Sequence, residues 1–167
     1  MTPRWYTRLR MAAPRRYVVI GDLHLGAPGG VGQDAAPPLA ALLDGDEPGF
    51  DLVIAGNLFD AADAILGVEG GPRTFNESDS LARIRALTQL HRDVFDVLGE
   101  FLASGRRITW LPGDGDADLL WPESREIVAA ALGPDAAKFR FHVRPHLRLP
   151  GGVWVEHASS RLEDDAL

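Results

Sequence analysis

Residues 18–26 read Val-Val-Ile-Gly-Asp-Leu-His-Leu-Gly. A β-branched apolar run of this kind is a short buried strand. It ends in a carboxylate and an imidazole one residue apart. Side chains two positions apart on a strand share a face. Asp22 and His24 are therefore expected to converge at the strand's C-terminal mouth, where open α/β sheets bind ligands. An oxygen and a nitrogen donor at one point suit a divalent transition metal.

The same punctuation recurs along the chain. Residues 51–55 (Asp-Leu-Val-Ile-Ala) predict a second buried strand, ending at Gly56-Asn57-Leu58-Phe59-Asp60. Residues 107–111 predict a third, running into Pro112-Gly113-Asp114-Gly115-Asp116. Residues 139–143, 146–149 and 153–157 read as three more, the last two joined by a Pro150-Gly151-Gly152 turn. Helices are expected over 38–43, 80–104 and 123–132. In the longest, Leu81, Ile84, Leu87, Leu90, Val94, Leu98 and Phe101 form one apolar stripe, and Gly105 stops it. Strands alternating with helices define an α/β sheet, parallel at first, with closely spaced antiparallel strands at the end. The loops over 26–38 and 67–80 are rich in glycine.

Composition narrows the function classes. The formal charge is −7, from 24 acidic and 17 basic residues. That argues against general nucleic-acid binding, which needs a basic face. The organisation expected is a basic arm over 1–16, one domain over 17–158 and an acidic tail over 159–167. No cysteine is present, so disulfides and thiolate metal sites are excluded. No apolar run is long enough to span a membrane, and the basic N-terminus lacks the apolar core of a signal peptide. The expected location is cytoplasmic. Lys138 is the sole lysine, and no Gly-Lys-Ser/Thr occurs, so a Walker-type phosphate loop is excluded.

Four strand ends carry polar groups: Asp22 and His24, Asn57 and Asp60, Asp114 and Asp116, and Glu156 and His157. In this order they resemble the calcineurin-like metallophosphoesterases of bacterial type. Those motifs run Asp-x-His, Gly-Asp-x-x-Asp, Gly-Asn-His-Asp, a later His and a final Gly-His-x-His. The resemblance covers residues 17–157. It implies an α/β/β/α sandwich and a metal site drawn from Asp22, His24, Asn57, Asp114 and His157. The cofactor implied is one or two ions of manganese, zinc or iron, which clamp a phosphate and acidify a water. The partner implied is a phosphorylated small molecule or a phosphodiester.

The sequence departs from those motifs at sensitive places. Asn57 stands where the bridging Asp belongs, Asp114 where Asn belongs, Gly115 where the catalytic His belongs, and Ala158 where a Gly is usual. The final motif is missing, which reads as a C-terminally truncated sandwich. Two divalent ions about 3.5 Å apart repel by ~19 kcal/mol at an effective dielectric of about 20, so their bridge must be anionic, and Asn57 is a poor one. The expectation is at most one well-held ion and weak or absent hydrolysis of a phosphomonoester or phosphodiester. The alternative is a catalytically inactive relative that serves as a binding or interaction protein. A third reading, a nucleotide-binding domain with residues 26–32 on phosphate, ranks last because Gly-x-Gly-x-x-Gly is absent. A shortened second sheet would leave an unpaired edge, which invites a homodimer.

Each residue also has a structural reading. Asp22 can cap a loop, and Asn57, Asp114 and Asp116 are ordinary turn residues. Asp60 is expected to bond loop backbone. His91 is expected to be a solvated helix residue, and His142 and His146 to be exposed near a turn.

Overall fold

The computed structural model describes residues 15–27, 34–44, 49–60, 76–144 and 146–157. Most of the predicted basic arm, the acidic tail, residues 28–33 of the first glycine-rich loop and residues 67–75 of the second lie outside the described residues. The chain runs β1 (Arg16–Ile20), α1 (Ala36–Leu43), β2 (Phe50–Ala55), α2 (Glu77–Leu90), α3 (Arg92–Ala103), β3 (Ile108–Leu111), α4 (Pro122–Leu132), β4 (Phe139–Phe141), β5 (His146–Arg148) and β6 (Trp154–Glu156). Short 3₁₀ segments cover Asp114–Leu120 and Ala136–Lys138. The protein is α/β. Among the described residues no helix is long and apolar enough to cross a membrane.

Strands β1 to β4 form one sheet in that spatial order, every pair parallel. Right-handed crossovers that always step the same way put every connecting helix on one face. The core follows that rule. Leu52, Ile54, Ile108 and Trp110 pack with Leu39 and Leu43 of α1, Ile84 and Leu87 of α2, Phe95 and Leu98 of α3, and Val128 of α4. The alternate residues of the same strands, Val53 and Leu111, point the other way and meet Leu147, Leu149 and Val155. Buried on both faces, β2 reads as a nearly continuous apolar run. Strands β5 and β6 form a separate antiparallel hairpin. It lies across the face opposite the helices, and among the described residues each of its strands pairs on one side only.

The first strand, expected to be buried, is an edge of the sheet, with Val19 46% exposed. Three further expectations need correcting. Residues 139–141 do not join the antiparallel part, because β4 pairs parallel to β3. The long helix is two helices, broken at His91, whose φ is −107° and ψ 37°. The apolar stripe slips by one residue at that break: Leu90 is 68% exposed and His91 is 3% exposed. Thr88 weakens the helix there, because its hydroxyl donates to the carbonyls of Ile84 and Arg85. The third correction is the 3₁₀ segment, where the sequence read as a plain turn. Asp118 anchors it, taking Ser80 Oγ at 2.6 Å and a two-pronged Arg83 guanidinium at 2.7 Å and 2.7 Å.

Burial holds the His91 imidazole neutral, pushing its pKa below the ordinary 6.5 against a weaker pull from Asp93. The unfolded chain then takes up this proton first. The contribution of His91 to stability is present above pH 6.5 and is lost as pH falls through the depressed folded value. His91→Gln is expected to lose less stability than the wild type between pH 7 and pH 5 in urea titrations; parallel losses would contradict this.

Candidate metal centre

The parallel ladder does not stop where β1 and β2 end. The His24 amide donates to the Asn57 carbonyl at 3.0 Å, Leu25 to Leu58 at 2.8 Å, and Asp60 back to Leu25 at 3.0 Å. The two loops that leave the strands are thereby zipped together at the C-terminal rim. Asp22 and His24 do converge, though not by strand alternation. Both have left the extended region, with φ of 56° and 49°, and Asn57 has a φ of 26°. Among the described residues these are the non-glycine residues with positive φ, and all three are sequence-predicted site residues. Asp, Asn and His are among the side chains that best tolerate this region. Strain gathered at one place is a mark of functional geometry.

His157 comes from the hairpin. It follows β6, and its ring packs against Gly56 at the β2 mouth: a Cβ on Gly56 would meet His157 Cδ2 at 2.0 Å. Its Nε2 donates to Asp22 Oδ1 at 3.2 Å. His24 Nε2 lies 3.9 Å from the same oxygen. On its other side, His24 Nδ1 donates to Asp60 Oδ2 at 3.3 Å. Asp60 thus holds the imidazole through its side chain, beyond the backbone role expected of it. The result is one carboxylate oxygen facing two imidazole Nε2 atoms, with one imidazole oriented by a second carboxylate.

Asn57 and Asp114 form the other half of the rim. Asn57 is buried, and its Oδ1 accepts the Gly115 amide at 2.9 Å. The neighbouring Asn57 carboxamide, more than the His157 charge, holds Asp114 below the ordinary 3.8. Gly115, at the position where the resemblance places a His, has no room for any side chain, because a Cβ there would lie 2.5 Å from the Phe59 carbonyl oxygen.

Asp116 is the residue that sequence reasoning most undervalued. It is 0% exposed. Its carboxylate accepts the Phe59 amide at 2.9 Å, the Gly113 amide at 3.0 Å and the Trp110 indole N–H at 3.2 Å. Burial pushes it up to about 6, and those N–H donors pull the other way. The sequence signal available was a carboxylate six residues after an inward-facing Trp. The other expected histidines are only partly exposed. His142 Nε2 donates to the His146 carbonyl at 2.9 Å, and His146 stacks on Trp154 at 4.5 Å.

Asp22, His24, Asn57, Asp114 and His157 therefore share one rim. Among the described residues, no group of three or more His, Cys, Asp or Glu stands ready to hold a metal ion as placed. The donor chemistry nonetheless fits one. Ligands about 2.0–2.2 Å from a single ion lie roughly 3–3.5 Å from each other. The 3.2 Å and 3.9 Å separations about Asp22 Oδ1 approach that spacing. The Asp22 side chain is 62% exposed. A ligating imidazole with its second nitrogen on a carboxylate is the usual arrangement at metal sites. In comparisons with known proteins, no family model and no curated sequence matches the chain.

Two outcomes follow from this geometry. Gly56→Ala forces a Cβ into the His157 ring and strains a φ of 81°. It is expected to destabilise the protein by about 2 kcal/mol or more and to shift the His157 ring resonances in NMR; unchanged resonances would contradict the packing. Asp22→Gly relieves the left-handed strain and is expected to raise stability by about 1 kcal/mol. Chemical denaturation checks it, and a loss of stability would show that Asp22 contributes more by its bond to His157 than it costs in strain.

Proposed function

We propose that this chain is a calcineurin-like metallophosphoesterase relative, with its hairpin as part of the second sheet of an α/β/β/α sandwich. It hydrolyses a phosphomonoester or phosphodiester weakly, with one divalent ion of manganese, zinc or iron. The observation that supports this most is the approach of His24 Nε2 and His157 Nε2 to Asp22 Oδ1, from the ends of two sheets. Bound there, the ion would polarise a phosphate oxygen and acidify a water. Asp22 supplies the negative charge. His24 offers Nε2 because Asp60 engages its Nδ1, and His157 brings the hairpin's end onto the site.

The weakness has its own structural support. The space beside Gly115 is closed by the Phe59 carbonyl, so this loop brings no imidazole to protonate a leaving group. General acid help is typically worth about 10²–10⁴-fold. Esters that leave as stable phenolates should turn over, and alkyl esters should lag by that factor. The same closure favours a second reading, in which the chain binds a phosphorylated ligand or partner without turnover.

The test is hydrolysis of bis-p-nitrophenyl phosphate with added manganese, alongside calorimetric metal titration. Slow turnover that Asp22→Ala and His24→Ala each abolish is expected, with Asp60→Asn weakening metal binding about 10–100-fold. Metal binding without turnover would select the second reading. No binding of manganese, zinc or iron would overturn both.

A further inference from the structure

A chain of hydrogen bonds runs from the buried Asp116 carboxylate to an imidazole at the rim. Asp116 Oδ1 accepts the Phe59 amide at 2.9 Å. That amide and the Leu58 carbonyl belong to one rigid peptide plane, and the carbonyl accepts the Leu25 amide at 2.8 Å. The plane is thus held at both ends, by β3's loop on one side and β1's loop on the other. The next amide, that of Asp60, donates to the Leu25 carbonyl at 3.0 Å. Asp60 Oδ2 then accepts His24 Nδ1 at 3.3 Å. Asp116 Oδ2 is anchored behind by the Gly113 amide at 3.0 Å and the Trp110 indole at 3.2 Å. The Phe59 ring packs between Phe95 and Trp110, with centroids at 5.9 Å and 5.6 Å. A buried ring fixes where Phe59 sits, but it leaves the peptide plane before it to rotate. The carboxylate removes that freedom.

We propose that Asp116 is a positioning residue for the His24 imidazole: by holding the Leu58–Phe59 peptide plane it sets the Asp60 carboxylate that engages Nδ1 and leaves Nε2 turned to Asp22. The role needs acceptors on both sides of one side chain. Asp116→Asn keeps the shape but has a single carbonyl oxygen. Turned to serve Gly113 and Trp110, it sets its NH₂ against the Phe59 N–H, and the plane is released. The proton on His24 is the sensitive reporter, because which ring nitrogen carries it is set by the bond the other atoms make. The relay stands without any ion; that the oriented imidazole serves a cation rests on the phosphoesterase reading.

The experiment is nitrogen NMR of the histidine rings, on the full chain in chelator, well above the ordinary imidazole pKa range. Wild-type His24 is expected to carry its proton on Nδ1. Asp60→Ala and Asp116→Asn are each expected to move it toward Nε2. Leu43→Ala is the packing control. It opens a cavity at the base of the sheet, where Arg106 bonds the Leu43 carbonyl, and lowers Tm by about 4 °C or more without moving the His24 signal. An Asp116→Asn protein with the wild-type signal would overturn the proposal, as would a Leu43→Ala protein that moves it equally. If Asp116→Asn does not fold, amide exchange in the wild type decides: the Phe59 and Leu25 amides must open together, since one peptide plane holds both. A Phe59 amide that exchanges while Leu25 stays protected would refute the relay. Manganese titration is expected to show Asp116→Asn binding about 10-fold more weakly, and unchanged affinity would remove Asp116 from the site. A wild type that binds no manganese would count against the phosphoesterase reading and leave the His24 signal to decide the relay.

Discussion

The Asp116 carboxylate, withdrawn from solvent, takes N–H groups from Phe59, Gly113 and the Trp110 indole. Those donors belong to the loop after β2, the loop after β3 and the sheet itself. A buried carboxylate left unpaired would be very costly, so three donors must stay in place for the fold to keep it. That requirement fixes how the β2 and β3 loops leave the sheet. Asp118, two residues on, ties the same segment to α2 through Ser80 and Arg83. The outer rim, with Asp22, His24, Asn57 and Asp114, rests on this inner bracket.

Above the bracket, the rim is built from backbone states that few residues tolerate. Left-handed φ values at Asp22, His24 and Asn57 take these residues out of the extended geometry of the strands they follow. The hairpin then lays His157 on Gly56. Its other inward residues, Leu147 and Val155, bury against Val53 and Leu111. The imidazole is thus placed by ordinary hydrophobic packing at the far end of a two-stranded unit. Here packing energy and site geometry are coupled, since the face that docks the hairpin also delivers a candidate ligand.

Much of this was legible in the sequence, for a definable reason. An apolar run closed by polar residues marks a strand mouth, and residues 18–24, 51–60 and 107–116 all carry that signature. The gathering of Asp22, His24 and His157 followed from the pattern, although the expected cause, alternation along a strand, was not the operative one. What stayed hidden depends on partners far apart in the chain. Asp116 looks like a turn residue until Phe59, 57 positions earlier, supplies its amide. The break at His91 was masked because Leu87, Leu90 and Val94 keep helical spacing across it. Only the competing surfaces on either side reveal that the buried face has moved by one residue. The crowding at Gly115 could not be read at all, since it arises from the Phe59 carbonyl and the Asn57 carboxamide.

The central claim is that Asp22, His24 and His157 share one cation. Crystals soaked in manganese and measured at the manganese absorption edge test it directly. The account predicts one anomalous peak about 2.0–2.3 Å from a carboxylate oxygen of Asp22 and from the Nε2 atoms of His24 and His157. A rim with no peak at saturating manganese, or a peak bound elsewhere on the protein, would contradict it.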